Sequence, residues 1–422
     1  MRVWSRLKGT KFYASMAVFF SILGPGIITG SVDNDAGGIT TYSVAGAQYG
    51  YGLLWTLGPA FLILLVVQEM NARMGMVTGK GLADLIRENF GVKATFLIFM
   101  GLIVADIGNT TTEFAGVAGS MEVFGISKYI SVPVTALLVW VLVVKATYKL
   151  AEKVFLLFSV FLLSYVVSAI MAKPDWGQIA HAVVRPHFVN DNNYIMMVVG
   201  IIGTTIAPWM QFYMQSSVIE KGLKISDYAY TMMDVVFGCI ATIVVAFFIM
   251  VACASTLHLA GIEIHEAKDA AAALKPLAGA FAGHVFAFGL FVASVFSAAI
   301  LPLATSFYVC EAFGFETGID KTPAEAPEFY RLYTTIMAIS VIVILIPGAP
   351  LIKISLWSQV INGIWLPVVL FCMIRLVNNQ EIMGKHTNKL FSNVVGWTTT
   401  VVVASLSFFL FVYPVIRRLL AG

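Results

Sequence analysis

Charge is what this chain has least of. Asp, Glu, Lys and Arg make up 12% of its 422 residues, about half the share of an ordinary soluble domain. With 59% hydrophobic residues beside them, a soluble enzyme is excluded. No basic cluster accompanies the net charge of +3, so nucleic acid is not an expected partner. Cysteine is scarce as well. Cys239, Cys253, Cys310 and Cys372 fall in or beside apolar stretches without metal-ligand spacing. They are expected to pack in the core, and they say little about redox compartment. No nucleophile–base constellation and no ATP-binding loop appears, so catalysis is not expected, and neither is a cofactor.

What the chain has instead is apolar runs of bilayer length, each needing roughly 20 residues to cross. They predict an all-α polytopic membrane protein forming one domain over 1–422. About eleven spans are expected, at 14–48, 52–73, 94–122, 130–148, 153–172, 193–219, 228–256, 279–309, 331–347, 351–376 and 392–415. The basic residues before the first run would also suit a signal peptide. No small-residue cleavage pattern ends a short run, however, so the segment reads as the first span.

Orientation follows from the loops. With a cytoplasmic N-terminus, 18 Lys and Arg fall inside: Arg2, Arg6, Lys8, Lys11, Arg73, Lys80, Arg87, Lys93, Lys145, Lys149, Lys153, Lys221, Lys224, Lys321, Arg331, Arg375, Lys385 and Lys389. Eight fall outside: Lys128, Lys173, Arg185, Lys268, Lys275, Lys353, Arg417 and Arg418. The terminal pair Arg417 and Arg418 speaks mildly against an outside C-terminus. The expected location is the plasma membrane of a bacterium, with the chain working as a monomer in a lipid bilayer.

Two spans are interrupted. The first breaks at DNDAGG, Asp33 to Gly38, and the sixth near Thr204 to Pro208. Pro208 removes a helical donor and disfavours helical geometry at Ala207. The breaks are five spans apart, which predicts two inverted five-helix repeats (14–172 and 193–376) with an additional helix at 392–415, a LeuT-like fold with its substrate at the midplane. Two packing kinks are the alternative.

An ionised Asp at the centre of a membrane helix costs about 3 kcal/mol or more. No Lys, Arg or His lies in the core of either broken span. A bound cation is therefore the natural partner for Asp35 or Asp33, with unwound carbonyls as further ligands. Gln211 and Gln215 lie four apart, either to bond the water of a bound metal or to bond neighbouring helices, and Asn362 is open in the same way. Asp106, Asn109, Thr110 and Glu113 share one helical face, as a proton or ion path or as a buried polar network. Asp234 lacks a local partner. His258 and His265 are expected in a solvated loop.

The stretch GPGIITGSVDNDAGGITTYSVAGAQYGYGLLW, Gly24 to Trp55, resembles the first helix of the Nramp family of divalent-metal transporters. That family breaks the helix at Asp-Pro-Gly-Asn. The resemblance puts Asp35 on the metal-binding Asp and Gly37 on the motif Gly. Ala36 stands for the Pro, Gly38 for the metal-binding Asn, and Asp33 is an extra carboxylate. In the sixth helix Ala207-Pro208-Trp209 replaces Met-Pro-His, and Thr204 takes the position whose carbonyl binds metal. NTTTEFAGVAG, Asn109 to Gly119, resembles the third helix, with Glu113 matching its Glu and Thr110 replacing its Asp. SQVINGIWLP, Ser358 to Pro367, resembles the tenth, with Trp365 replacing a Gln.

The departures point one way. Losing the thioether removes the ligand suited to softer ions, and what remains is a carboxylate, carbonyls and space for water. That set suits Mg²⁺, which usually keeps several waters, and it is similar to the Nramp-related magnesium transporters. The resemblance thus implies a divalent-cation transporter carrying Mg²⁺ and also Mn²⁺ by alternating access. The metal set is Asp35, Thr204, Asp33, Gly38, Ala207 and Gln211, with Asp106 and Glu113 as proton or ion path candidates. Trp209 and Met214 stand at the family's two histidine positions, so proton coupling is expected to be weak or absent. The rivals are a proton-coupled Mn²⁺ or Fe²⁺ importer and an amino-acid or organic-solute symporter of the same fold. A channel fits paired broken helices less well.

Overall fold

The computed structural model describes residues 24–145, 164–186, 188–189, 191–264 and 267–420. The expected start of the first span at 14–23, the basic residues Arg2, Arg6, Lys8, Lys11, Lys149 and Lys153, most of the fifth span (153–163) and His265 lie outside them. So do the side chains of Lys268, Lys275, Arg417 and Arg418. Among the described residues the regular structure is helical, with no strand.

Nine stretches among these residues are long and apolar enough to cross a membrane. One of them, Ala36–Thr78, is 43 residues long, about twice what a bilayer needs at 1.5 Å per residue. The chain turns within it, through a 3-10 segment, Gly50–Thr56, that opens on Gly50 at φ +56°. The broken first span is thus α1 (Pro25–Val32) and α2 (Ala36–Tyr49), followed by the second span, α3 (Leu57–Thr78). Next come α4 (Leu82–Val123), α5 (Lys128–Lys145), α6 (Ser164–Met171) and a short helix, α7 (Trp176–Val184). The broken sixth span is α8 (Asn192–Thr205) and α9 (Pro208–Glu220). The rest is α10 (Tyr228–Cys253), α11 (Ala267–Phe313), α12 (Pro327–Leu345), α13 (Leu351–Val377), α14 (Gln380–Met383) and α15 (Leu390–Leu420).

Some features add to or differ from the expectation. Helix α4 starts before the expected third span, at Leu82, and Gly91, at φ 80° and ψ 165°, divides this charged first arm from the membrane helix. Helix α7 was not expected; Asp175 caps it through the N–H groups of Gly177 and Gln178. His258 is exposed, as expected, but on a helical turn and not in a loop. It ends a π-helical turn, Ala254–His258, that prolongs α10, and its Nδ1 lies 2.9 Å from the Ala47 carbonyl oxygen. The four cysteines are buried and free, as expected. Large apolar side chains such as Leu137, Leu138 and Ile342 are exposed on outer faces, which suits lipid and not water.

The continuous helix α10 backs the broken first span. It contacts α1, α2 and α3. A Cβ added to Gly26, Gly30 or Gly238 would lie 2.6, 2.6 or 2.1 Å from backbone atoms of the opposing helix. The α1 and α10 backbones therefore touch, as small residues allow in membranes. Asp234, on α10, has its partners here. Its carboxylate accepts from the N–H groups of Gly24, Gly26 and Ile27 at 3.2, 2.6 and 3.2 Å. These are donors that the first turn of a helix leaves free.

Asp234→Ala should therefore strand three buried donors. We expect a loss of roughly 2–4 kcal/mol, seen as a lower midpoint of thermal unfolding for the purified protein in detergent. Asp234→Asn, which keeps one acceptor, should fall between. An unchanged midpoint in the Ala variant would remove Asp234 from this role.

Candidate functional site

Each break frees carbonyls, and their new partners show how the site is built. In α1 the Asn34 N–H, the donor Gly30 would have used, goes to Ser31 instead. The Gly30 carbonyl then accepts from the Thr242 hydroxyl of α10 at 2.5 Å. The Val32 carbonyl accepts from the Ser297 hydroxyl of α11 at 3.4 Å. In α8 the Thr204 carbonyl has no i+4 donor, because position 208 is a proline. Two C-terminal helix ends with open oxygens, those of α1 and α8, thus meet two N-terminal ends, those of α2 and α9. The half-helices α2 and α8 are tied by the Tyr42 and Thr205 hydroxyls, 2.8 Å apart.

Asp35 is the N-cap of α2. Its Oδ1 accepts from the Gly38 N–H at 2.6 Å. Glu113 reaches the same end from α4, where Oε2 accepts from the Ala36 N–H at 3.1 Å. Both carboxylates favour the positive end of a helix dipole. Asp33 does not reach it. Asp33 is buried, and neither of its carboxylate oxygens has a hydrogen-bond partner among the described residues. The Asn34 amide, the Thr204 hydroxyl and Glu113 Oε1 share that condition.

Gly38 marks where the two breaks converge. A Cβ there would lie 2.8 Å from the Asp33 carbonyl oxygen, 3.2 Å from Thr204 Oγ1 and 3.4 Å from Asp35 Oδ1. Three oxygens from two broken spans thus surround the space a side chain would fill. Ala207, the N-cap of α9, is buried and adds only a methyl group. Among the described residues no three His, Cys, Asp or Glu side chains are grouped so as to hold a metal. Any ion held here must take its remaining ligands from carbonyls, hydroxyls, amides or water.

The other expected residues lie further out. Gln211 is turned to the second span: its Oε1 accepts from Asn71 at 2.6 Å, and its Nε2 donates to the Ala207 carbonyl at 3.1 Å. Gln215 donates to the Lys80 carbonyl at 2.7 Å. Asp106 accepts from Asn109, Thr305 and Tyr308 at 3.0, 3.0 and 2.9 Å. Asn109 continues to Asn362, which donates to Gln359 at 3.1 Å. Gln359 was not singled out from the sequence, although it sits in the stretch that matched the tenth helix. It closes on the break: a Cβ at Gly37 would lie 2.1 Å from its Nε2. The shared face of α4 is therefore a network running from Asp106 to Gln359 over the first break, with Glu113 joining the same break directly. Trp209 and Met214 are buried, and the Met214 sulfur accepts from the Thr29 hydroxyl at 3.8 Å. Beyond the site a cavity of about 330 Å³ opens between α2, α4 and α13, lined by Thr40, Thr112 and Ser355.

Known proteins resemble this arrangement. Divalent metal cation transporter MntH of Yersinia pestis (strain Pestoides F) is 26% identical over 402 residues, 93% of this chain and 95% of that protein. The manganese transporter of Eremococcus coleocola, solved with an aromatic bis-isothiourea substituted compound, superimposes with a TM-score of 0.73 at 20% identity. That match covers 94% of this chain and 87% of the other. MHP1, a nucleobase-cation-symport-1 family transporter in a closed conformation, has a TM-score of 0.60 at 10% identity, over 93% and 92% of the two chains. At those identities the structural likeness shows the fold, the LeuT-like arrangement with broken first and sixth spans. The profile of the family described as Natural resistance-associated macrophage protein-like matches residues 26–413, nearly the whole of the broken-helix bundle, and the chain belongs to the Nramp family.

Proposed function

We propose that this protein carries divalent cations across a membrane by alternating access, taking Mg²⁺ and Mn²⁺ as partly hydrated ions between Asp33, Asp35 and the end of α8 at Thr204. One observation carries the reading. The Asp33 carboxylate is buried between two helix breaks without a protein partner among the described residues, and an uncompensated buried charge is costly. A cation supplies what the protein does not. The relatives' names, a divalent metal cation transporter and a manganese transporter, support the class of cargo.

The choice among divalent ions rests on what Gly38 and Ala207 leave out. Neither brings a side-chain ligand, and Ala207 brings no sulfur. Oxygen ligands and retained water suit Mg²⁺ and Mn²⁺. Asp33 gains importance over the sequence reading, because Asp35 already spends one oxygen on Gly38. Movement is expected of α1, which ends at the site and is fastened to α10. The Lys and Arg bias supports a cytoplasmic N-terminus, and an inside-negative membrane potential favours inward flow of any divalent cation whatever the chain's orientation. Trp209 and Met214, neither of which titrates near neutral pH, support weak or absent proton coupling. Two buried carboxylates on one face of α4, Glu113 and Asp106, favour the second reading, a proton-coupled Mn²⁺ importer.

Charge removal should separate the two carboxylates. Asp35→Asn keeps an N-cap residue for α2, and Asp33→Asn leaves no backbone contact broken. Both variants should stay folded and bind Mn²⁺ at least about tenfold more weakly by calorimetry. Unchanged binding in Asp33→Asn would sink the proposed role of that side chain.

Sulfur should soften the site. Ala207→Met is expected to raise Cd²⁺ uptake relative to Mg²⁺ in proteoliposomes. An active variant with unaltered preference would show that selectivity is set elsewhere. For the driving force, liposomes holding a pH-sensitive dye should show metal entry without acidification of the lumen. Acidification, with a rate that climbs under an inward proton gradient, would establish the second reading.

A further inference from the structure

We propose that the basic end of the bundle contains a site for the phosphate of an anionic phospholipid headgroup, in a cavity between α3, α10 and the strap that joins α13 to α15. The cavity has a volume of about 430 Å³ and is open at one side, within the range of small-ligand sites. It is remote from the helix breaks, and the inference does not depend on the identity of the transported ion.

One wall is fixed and neutral. The Arg73 guanidinium, on α3, is buried and paired with Glu69 at 2.7 and 3.1 Å. It also donates to the His386 carbonyl and, at 2.6 Å, to Asn388. The Tyr228 hydroxyl donates to the other side of the pair, to Glu69 at 2.8 Å. These bonds fasten the strap to the bundle and use up both charges. Glu69 is the one acidic side chain that lines the cavity.

The strap itself brings uncompensated charge. Lys385 and Lys389 line the cavity. Neither ammonium has a hydrogen bond or an ion pair among the described residues, although each has three donors to offer. Two exposed cations without a partner among the described residues, beside an ion pair already committed, bias the cavity towards an anion.

The remaining lining is apolar and settles the kind of anion. Leu65, Val66, Met232 and Phe391 line the same cavity as the two lysines. Phe391 and its neighbour Leu390 are 60% and 81% exposed, so the apolar side runs out onto the lipid-facing surface. A free phosphate would waste that half of the site. A phospholipid uses both, with its phosphate on the lysines and the upper part of an acyl chain along Phe391. The strap also lies at the end of the bundle that carries Lys80, Lys221, Lys224 and Lys321. With the N-terminus cytoplasmic this is the anionic leaflet, where basic pockets between helices bind headgroups.

The test uses the full chain in neutral detergent, with phosphatidylglycerol, phosphatidylcholine and inorganic phosphate as probes and native mass spectrometry as the readout. Wild type should retain phosphatidylglycerol at least about tenfold better than the double variant K385Q/K389Q. K385R/K389R should retain it nearly as well as wild type, and phosphatidylcholine should not distinguish the three proteins. Retention by wild type should also fall as salt is raised, a measurement that needs no variant. Equal retention of phosphatidylglycerol by wild type and K385Q/K389Q would overturn the proposal. So would equal retention of phosphatidylcholine and phosphatidylglycerol by wild type. Displacement of the lipid by millimolar inorganic phosphate would reassign the cavity to a soluble anion.

Discussion

A helix that stops inside hydrocarbon must pass its backbone to other partners, since no water is there to take it. This fold is arranged around two such stops. Thr242 and Ser297 take carbonyls freed at the end of α1, and Asp234 takes the donors at its start. Asp35 and Glu113 take the donors at the start of α2. The neighbours α4, α10 and α11 are placed where these debts fall due. Once they are met, the Asp33 carboxylate and the Thr204 carbonyl and hydroxyl are left over at one place. The Asn34 amide and Glu113 Oε1 are left without a partner beside them, so the space between the two breaks is rich in uncommitted polar atoms.

The same distribution bears on how the proposed site would select an ion without a cage of side chains. Three carboxylates surround the first break, yet two are committed to N–H groups and cannot wrap an ion from every side. Ligands drawn from backbone carbonyls are fixed by the helix ends and cannot follow an ion of the wrong size. The network from Asp106 through Asn109 and Asn362 to Gln359 braces the first break from the side of α13. A side chain at Gly37 would have to displace the Gln359 amide and so disturb that network.

Features built from near neighbours were legible in the sequence. DNDAGG and the Ala207-Pro208 step announce breaks by their own chemistry, and both fall where expected. The spacing of Asp106, Asn109 and Glu113 shows that they share a face. It does not show that the face divides, one end bonding to α11 and α13 and the other to the start of α2. Asp234 looked unpartnered because its partners are backbone groups about 210 positions earlier. Backbone donors leave no mark in composition. Gln359 was passed over for a similar reason: its contact is with a glycine, the residue that reveals least about what touches it. The charged first arm of α4 and the amphipathic α7 escaped a search for apolar length, since neither has it.

The fastening of α1 to α10 also bears on how the chain is made. Pro25–Val32 is eight residues long, too short to hold itself as a helix, and its first-turn donors wait for Asp234. The interval between Gly24 and Asp234 is 210 residues, about 10–40 seconds of synthesis. During that time the half-helix is in the membrane without its acceptor and without the glycine surface of α10 against which it lies. The first-turn donors of α1 thus gain their acceptor only when α10 is made, and the Val32 carbonyl waits longer still, for Ser297. Whatever inserts this chain holds an unfinished segment until α10 is made.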